Sequence, residues 1–272
     1  MAEPREVTRK LDPSQLTLCL CLTQARTADY PLMAAACGFD AVYVDLEHTV
    51  TSLETASMLC ISASSAGLIP FVRVASLAPE PMIRALDTGA HGIIVPHVDT
   101  AAQARQVVDI CRFAPVGRRS VIGPNPVNRY NAEPITSVVA FCENLTIVAV
   151  MLESALAIEN ADEIAAVPGV DMLLLGAYDL SEEMGMLGSF ADPRFKAAVS
   201  RAAAACHAHG KTLGIAGIAD AQLLSEFVAA GVRFVSAGTE TGFFMEAARA
   251  RQKTLRTIAV PQRPFSEAPP AG

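Results

Sequence analysis

Two carboxylates stand where apolar runs come to an end. Glu153 closes the run that begins at Thr146 (Thr-Ile-Val-Ala-Val-Met-Leu-Glu), and Asp179 follows the run Val170-Asp-Met-Leu-Leu-Leu-Gly-Ala-Tyr. Continuous apolar runs of this length read as parallel strands covered on both faces. The helical segment and second strand between the two acids make one strand–helix repeat of an α/β barrel. Acids at the carboxyl ends of neighbouring parallel strands point into the same mouth, where such barrels keep their active sites. Carboxylates held close together need neutralising, and hard oxygen ligands suit Mg²⁺ or Mn²⁺. The alternative is that each acid caps the helix behind it.

Other groups gather at the same end. Asp45-Leu-Glu47-His48 follows the second strand, and a histidine there can move a proton near neutral pH when a carboxylate holds its tautomer; a surface loop with capping acids is the other reading. Arg73 interrupts the third strand in Pro70-Phe-Val-Arg-Val74. A buried guanidinium requires a partner, either Asp45 or Glu47 as pure structure or a substrate oxygen. Asp87, at the end of a helix, is expected to orient His48 or else to face solvent. In Gly176-Ala-Tyr-Asp179-Leu-Ser181 small residues expose backbone N–H groups at a helix start, which favours an anion. On this reading a carboxylate rests on the amides of Tyr178 and Asp179. His97 reads as a rim residue, and His91, His207 and His209 receive no role.

Strands are predicted near 16–22, 40–46, 70–74, 92–96, 146–152, 170–175, 211–216 and 232–236. Helical patterns lie between them at 53–66, 79–88, 101–112, 155–167, 195–209 and 219–230, with Gly67, Gly169, Gly210 and Gly231 as helix ends. Eight such repeats define a single (β/α)₈ barrel over residues 1–260, with a doubly wound open sheet as the alternative. No GxGxxG fingerprint follows the first strand. Residues 113–135, with Pro115, Pro124, Pro126, Pro134 and three arginines, form a long loop expected at the barrel mouth. A last helix near 240–257 is available to a neighbouring subunit, and the Pro- and Ala-rich tail 261–272 is expected to be mobile.

The 272 residues are the ordinary size of one barrel, and 51% hydrophobic against 18% charged residues leaves ample material for a large core. A formal charge of −7 without a basic cluster argues against nucleic acid as partner. No apolar stretch is long enough for a membrane helix, and the polar start carries no signal core. Seven cysteines, an odd number set mostly in apolar segments, read as reduced thiols of a cytoplasmic protein.

Taken together, Gly38-Phe-Asp-Ala-Val-Tyr-Val-Asp-Leu-Glu-His48, Val72-Arg-Val74, Leu86-Asp-Thr-Gly-Ala90, Gly92-Ile-Ile-Val-Pro96, Leu152-Glu153 and Gly176–Ser181 resemble the HpcH/HpaI aldolases, metal-dependent class II pyruvate aldolases, in order and spacing. The resemblance implies a (β/α)₈ barrel that swaps its last helix with a neighbour in a homohexamer. It implies a Mg²⁺, Mn²⁺ or Co²⁺ ion on Glu153 and Asp179, Arg73 on the enolate oxygen, and the backbone of Gly176, Ala177, Tyr178 and Asp179 around the pyruvate carboxylate. It further implies His48 paired with Asp87 for proton transfer, and Arg119 in the loop on the aldehyde side. No Schiff-base lysine is required. Three positions depart from the family pattern: Met151 where Gln is common, Ala177 where Pro is common, and Ser120 where a Gly follows the loop arginine.

The leading expectation is cleavage of a 4-hydroxy-2-oxo acid to pyruvate and an aldehyde. The alternatives are a carboligase or lyase that decarboxylates oxaloacetate, a citrate-lyase-like thioester lyase, and a catalytically silent barrel used for binding.

Overall fold

The computed structural model describes residues 11–260 apart from 13 and 132; the tail 261–272 lies outside the described residues. Eight parallel strands close into one barrel in sequence order: β1 (Thr17–Leu22), β2 (Ala41–Asp45), β3 (Ile69–Arg73), β4 (Gly92–Val95), β5 (Ile147–Leu152), β6 (Met172–Gly176), β7 (Thr212–Ala216) and β8 (Val232–Thr239). The helices are α1 (Asp29–Ala36), α2 (Leu53–Ser65), α3 (Pro79–Asp87), α4 (Ala101–Cys111), α5 (Ile135–Leu145), α6 (Ala155–Glu159), α7 (Ala161–Ala165), α8 (Ala177–Glu183), α9 (Pro193–His209), α10 (Ala221–Ala230) and α11 (Glu240–Arg256). This is the (β/α)₈ barrel, and the open-sheet alternative falls because β1 pairs with β8.

Strand parity explains how the barrel aims its side chains. Successive residues point to opposite faces. Ile147, Ala149 and Met151 of β5 join an interior cluster with Phe71, Met172, Leu174 and Phe234, whereas Val148, Val150 and Leu152 pack outward on the helices. Both sets are apolar, so the run shows no alternation. Continuing the inward set by one step brings Asp45, Arg73, Glu153 and Gly176 to the top layer.

The interior is filled by pairing large residues with small ones. Phe71 and Phe234 meet edge to face with centroids 5.6 Å apart. A Cβ on Gly92 would fall 2.1 Å from the Phe71 ring, and one on Gly214 would fall 2.8 Å from Leu174. Glycine is required at both places because the facing side chain already occupies the volume.

Capping groups set where the helices begin. Ser52, Ser154, Asp220 and Thr239 accept backbone N–H groups at the starts of α2, α6, α10 and α11, and Thr100 with Gln103 completes a capping box on α4. Gly210 ends α9 at φ 64°, the left-handed conformation expected of it. Helix α5 is masked in the sequence by the proline-rich stretch before it.

Residues 113–134 correct an expectation. They join α4 to α5 and are anchored at the end where the strands begin, not at the mouth: Arg112 donates to the Gly169 carbonyl, and Arg119 reaches Thr146 just before β5. Helices run antiparallel to the strands, so a segment leaving the end of α4 starts from the floor of the barrel.

Replacing Gly92 by Ala is expected to destabilise the barrel by about 1–3 kcal/mol through overpacking against Phe71. Urea unfolding measures this, and an unchanged midpoint would show that Phe71 has room to move.

Candidate active site

The acids at the mouth are held by their strands and the turns that follow. Glu153 comes directly after β5 and is 5% exposed, while Asp179 lies in the first turn of α8 and is exposed. Neither acts as the helix cap. Ser154 caps α6, and α8 has Gly176 at its N-cap with no side-chain cap bond. Gly176 makes room for the neighbouring acid, since a Cβ there would meet Glu153 Oε1 at 2.5 Å.

Arg73 forms the centre of the opposing charge. Its Nε and Nη2 donate to the two oxygens of Asp45, each at 2.9 Å, and its Nη1 lies 3.1 Å from Glu47 Oε2. The guanidinium stands 5.7 Å from the centre of the Tyr43 ring. Burial opposes its charge, and the Asp45 hydrogen bonds with the nearby acids more than restore it, so its pKa is raised. Pairing with Asp45 and Glu47 leaves other N–H groups of the five-donor guanidinium to face the cavity it lines.

That cavity, about 310 Å³, is lined by His48, Arg73, Glu153, Gly176, Tyr178 and Asp179, with Met151 and Tyr43 below. It brings together the sequence-predicted residues His48, Arg73, Glu153, Gly176, Ala177, Tyr178 and Asp179. His48 is exposed, and its Nε2 lies 3.7 Å from Glu47 Oε2. A larger recess of about 380 Å³ lies at the opposite end beside Asp171 and Lys211. It lacks the acid set, and Lys211 Nζ is engaged by the Val170 carbonyl.

Two predicted residues lie elsewhere within the chain. Asp87 ends α3 at the floor, where Arg119 Nη2 donates to its Oδ1 at 2.8 Å. The Arg119 side chain is 1% exposed and lies over the Phe113 ring, 4.6 Å from its centroid. The expected His48–Asp87 pairing and the placement of Arg119 at the mouth are therefore corrected for a single chain. A helix running back from β3 carries its last residue away from the mouth, and the Arg119 guanidinium satisfies Asp87 there.

Sequence reasoning missed the part played by His97. Its ring bridges Glu153 (Nδ1 to Oε2, 3.2 Å) and Glu47 (Nε2 to Oε1, 3.3 Å), and its backbone N–H donates to Glu153 Oε2 at 2.9 Å. The position after Ile-Ile-Val-Pro96 was a visible signal, but the backbone geometry that sets this exposed ring, 62% accessible, against the two acids was not. Tyr43 was also legible, two residues before Asp45 on the inward face of β2.

Four carboxylates thus meet one guanidinium and two imidazoles. Burial raises the Glu153 pKa first, and the charges of Asp179 and Glu47 add to it, against the favourable His97 N–H. Glu153 and Asp179 offer hard oxygen donors, and excess negative charge is the chemistry a divalent cation relieves. No three His, Cys, Asp or Glu side chains among the described residues converge to cage a metal by themselves. The donor set suits an ion that keeps open positions for water or substrate, as Mg²⁺ does, rather than a closed structural site.

A parallel (β/α)₈ barrel with a carboxylate pair and an arginine at its mouth suits chemistry that develops negative charge on a substrate oxygen. The profile of the HpcH/HpaI aldolase/citrate lyase family matches residues 21–247, and the chain belongs to that family. It is 45% identical to a 4-hydroxy-4-methyl-2-oxoglutarate aldolase of Hapsidospora irregularis over 74% of this chain and 75% of that one. Its identity to a protein of the same description from Chaetomium globosum is 43%, over 72% and 73%. In fold it matches the crystal structure of an HpcH/HpaI aldolase from Desulfitobacterium hafniense, with a TM-score of 0.85 at 24% identity over 90% and 94% of the two chains. The chain is an enzyme, an aldolase, which removes the silent-barrel alternative.

A carboxyl whose folded-state pKa exceeds its unfolded value costs stability when ionised; the cost is complete above the folded pKa and vanishes below the unfolded one. Glu153→Gln is therefore expected to stabilise the metal-free protein, most at about pH 8 and progressively less towards about pH 4. Urea midpoints across that window check this, and a variant less stable than the parent throughout would contradict it.

Proposed function

We propose that the enzyme cleaves a 4-hydroxy-2-oxo acid to pyruvate and a carbonyl product, with 4-hydroxy-4-methyl-2-oxoglutarate as the first substrate to test. The observation that carries this reading is the buried Glu153 beside Asp179, facing Arg73 across one cavity. The two named relatives supply the substrate.

Glu153 and Asp179 would hold Mg²⁺, Mn²⁺ or Co²⁺, whose positive charge would stabilise negative charge developing on the keto oxygen. Arg73 aims its remaining N–H groups at the same oxygen, pre-positioned by Asp45 and Glu47. The backbone where β6 passes into α8, at Gly176, Ala177, Tyr178 and Asp179, receives the carboxylate. His48, solvent-accessible at the rim, takes the 4-hydroxyl proton as the C3–C4 bond breaks. The electron pair of that bond passes to C3 and the keto group as an enolate, and protonation of C3 then gives pyruvate. Met151, a layer below Glu153, presents a thioether where a polar side chain would hold water, which leaves the keto oxygen to the charged groups above it.

The assembly is proposed to be a homo-oligomer, a hexamer on the family resemblance. Helix α11 buries none of its residues in the chain and exposes Phe243, Phe244 and Met245, while Leu18 of β1 and Leu32 and Met33 of α1 are also exposed. Apolar surface of this kind favours association, and docking α11 on a neighbouring barrel would cover it. No helix among the described residues is long and apolar enough to cross a membrane. Seven free thiols, several with pKa values pushed up to about 12 by burial, suit a reducing compartment such as the cytoplasm.

Pyruvate release from 4-hydroxy-4-methyl-2-oxoglutarate, followed with a lactate dehydrogenase couple, is expected to require added Mg²⁺ or Mn²⁺. Asp179→Asn should lower kcat/KM at least about 100-fold. Turnover unaffected by excess EDTA would sink the reading. Light scattering behind size exclusion should find an oligomer that Phe243→Glu with Phe244→Glu reduces to smaller species; a monomeric parent protein would refute the assembly.

A further inference from the structure

We propose that His97 is a positioning residue that fixes the metal-binding carboxylate of Glu153 and ties it to the Glu47–Arg73 pair. The inference rests on the reading above, in which Glu153 holds the cation.

The turn after β4 is shaped for this. His97 has a left-handed backbone at φ 56°, uncommon for a residue other than glycine, and follows Pro96. The next residue is clamped to the neighbouring strand, with the Val98 N–H donating to the Met151 carbonyl at 3.2 Å. This backbone turns two groups of one residue towards the same atom: the N–H reaches Glu153 Oε2 at 2.9 Å, and ring Nδ1 lies 3.2 Å from it. An energetically uncommon conformation is retained where its surroundings hold it, and here both contacts converge on a single acid.

The two oxygens of Glu153 are therefore not equivalent. Oε2 is engaged by His97. Oε1 is the atom that a Cβ on Gly176 would strike, so it lies against the end of β6, the strand that leads to Asp179. His97 holds one oxygen and leaves the other against Gly176, three residues before the second acid. The far nitrogen, Nε2, lies 3.3 Å from Glu47 Oε1, while Glu47 Oε2 lies 3.1 Å from Arg73 Nη1. One imidazole thus links the acid assigned to the cation with the acid that orients the arginine. Partners that orient a ligating carboxylate control metal affinity because the ligand geometry is fixed before the ion arrives.

Manganese titration calorimetry on the metal-stripped full chain tests the proposal through affinity rather than turnover. His97→Gly removes the ring, keeps the backbone N–H and suits the left-handed conformation; His97→Gln returns one amide donor; Glu153→Gln is the control for the ion site. The expected result is loss of Mn²⁺ binding in Glu153→Gln, a Kd raised about 10–100-fold in His97→Gly, and an intermediate value in His97→Gln. Parental or tighter affinity in His97→Gly, with binding lost in Glu153→Gln, would overturn the role of His97 and leave the ion site standing. Parental affinity in Glu153→Gln would overturn the ion assignment and this proposal with it.

Discussion

The crowding of Asp45, Glu47, Glu153 and Asp179 around the single guanidinium of Arg73 is the constraint from which the rest of the site follows. Like charges at short range inside a half-buried mouth raise the energy of the folded chain unless something positive enters. Arg73 answers part of the charge through its paired bonds to Asp45. Burial raises the Glu153 pKa first, and the charges of Asp179 and Glu47 add to it, so ionising this carboxyl in the empty site is unfavourable. On the proposed reading, a site arranged in this way would favour a cation and an anionic oxo acid at the expense of the stability of the empty barrel.

Holding that charge needs a rigid frame, and strand parity provides it. The inward positions of β2, β3, β5 and β6 reach the top layer as Asp45, Arg73, Glu153 and Gly176, so four strands aim four site residues without any long loop. Tight interior packing, with Phe71 against Gly92 and Leu174 against Gly214, keeps the strands from shifting past one another. The mouth is therefore built mainly on strand ends and first helical turns, which hold position better than loops do.

Much of this was legible in the sequence, because a (β/α)₈ barrel converts chain order directly into spatial order. Glu153 and Asp179 could be placed at one mouth from the ends of two apolar runs, and Arg73 from the single charge that interrupts a third. Features that depend on the direction of a side chain or on the path between elements were not legible. Asp87 lies close to the strands in sequence, yet the return direction of α3 takes it to the floor, where Arg119 holds it. The 113–134 segment has the composition of a mouth loop, but it leaves from the end of a helix. His97 is a rim histidine, as its position suggests, but nothing in Val-Pro-His-Val reveals the left-handed turn that brings its backbone N–H to Glu153.

The most direct test of the central claim, that these charges stabilise an enolate of pyruvate, is exchange of the pyruvate methyl protons in D₂O followed by proton NMR with Mg²⁺ present. The account predicts metal-dependent loss of the methyl signal, abolished by EDTA and by Glu153→Gln. Absence of exchange with metal bound, or exchange indifferent to both the metal and Glu153, would contradict it.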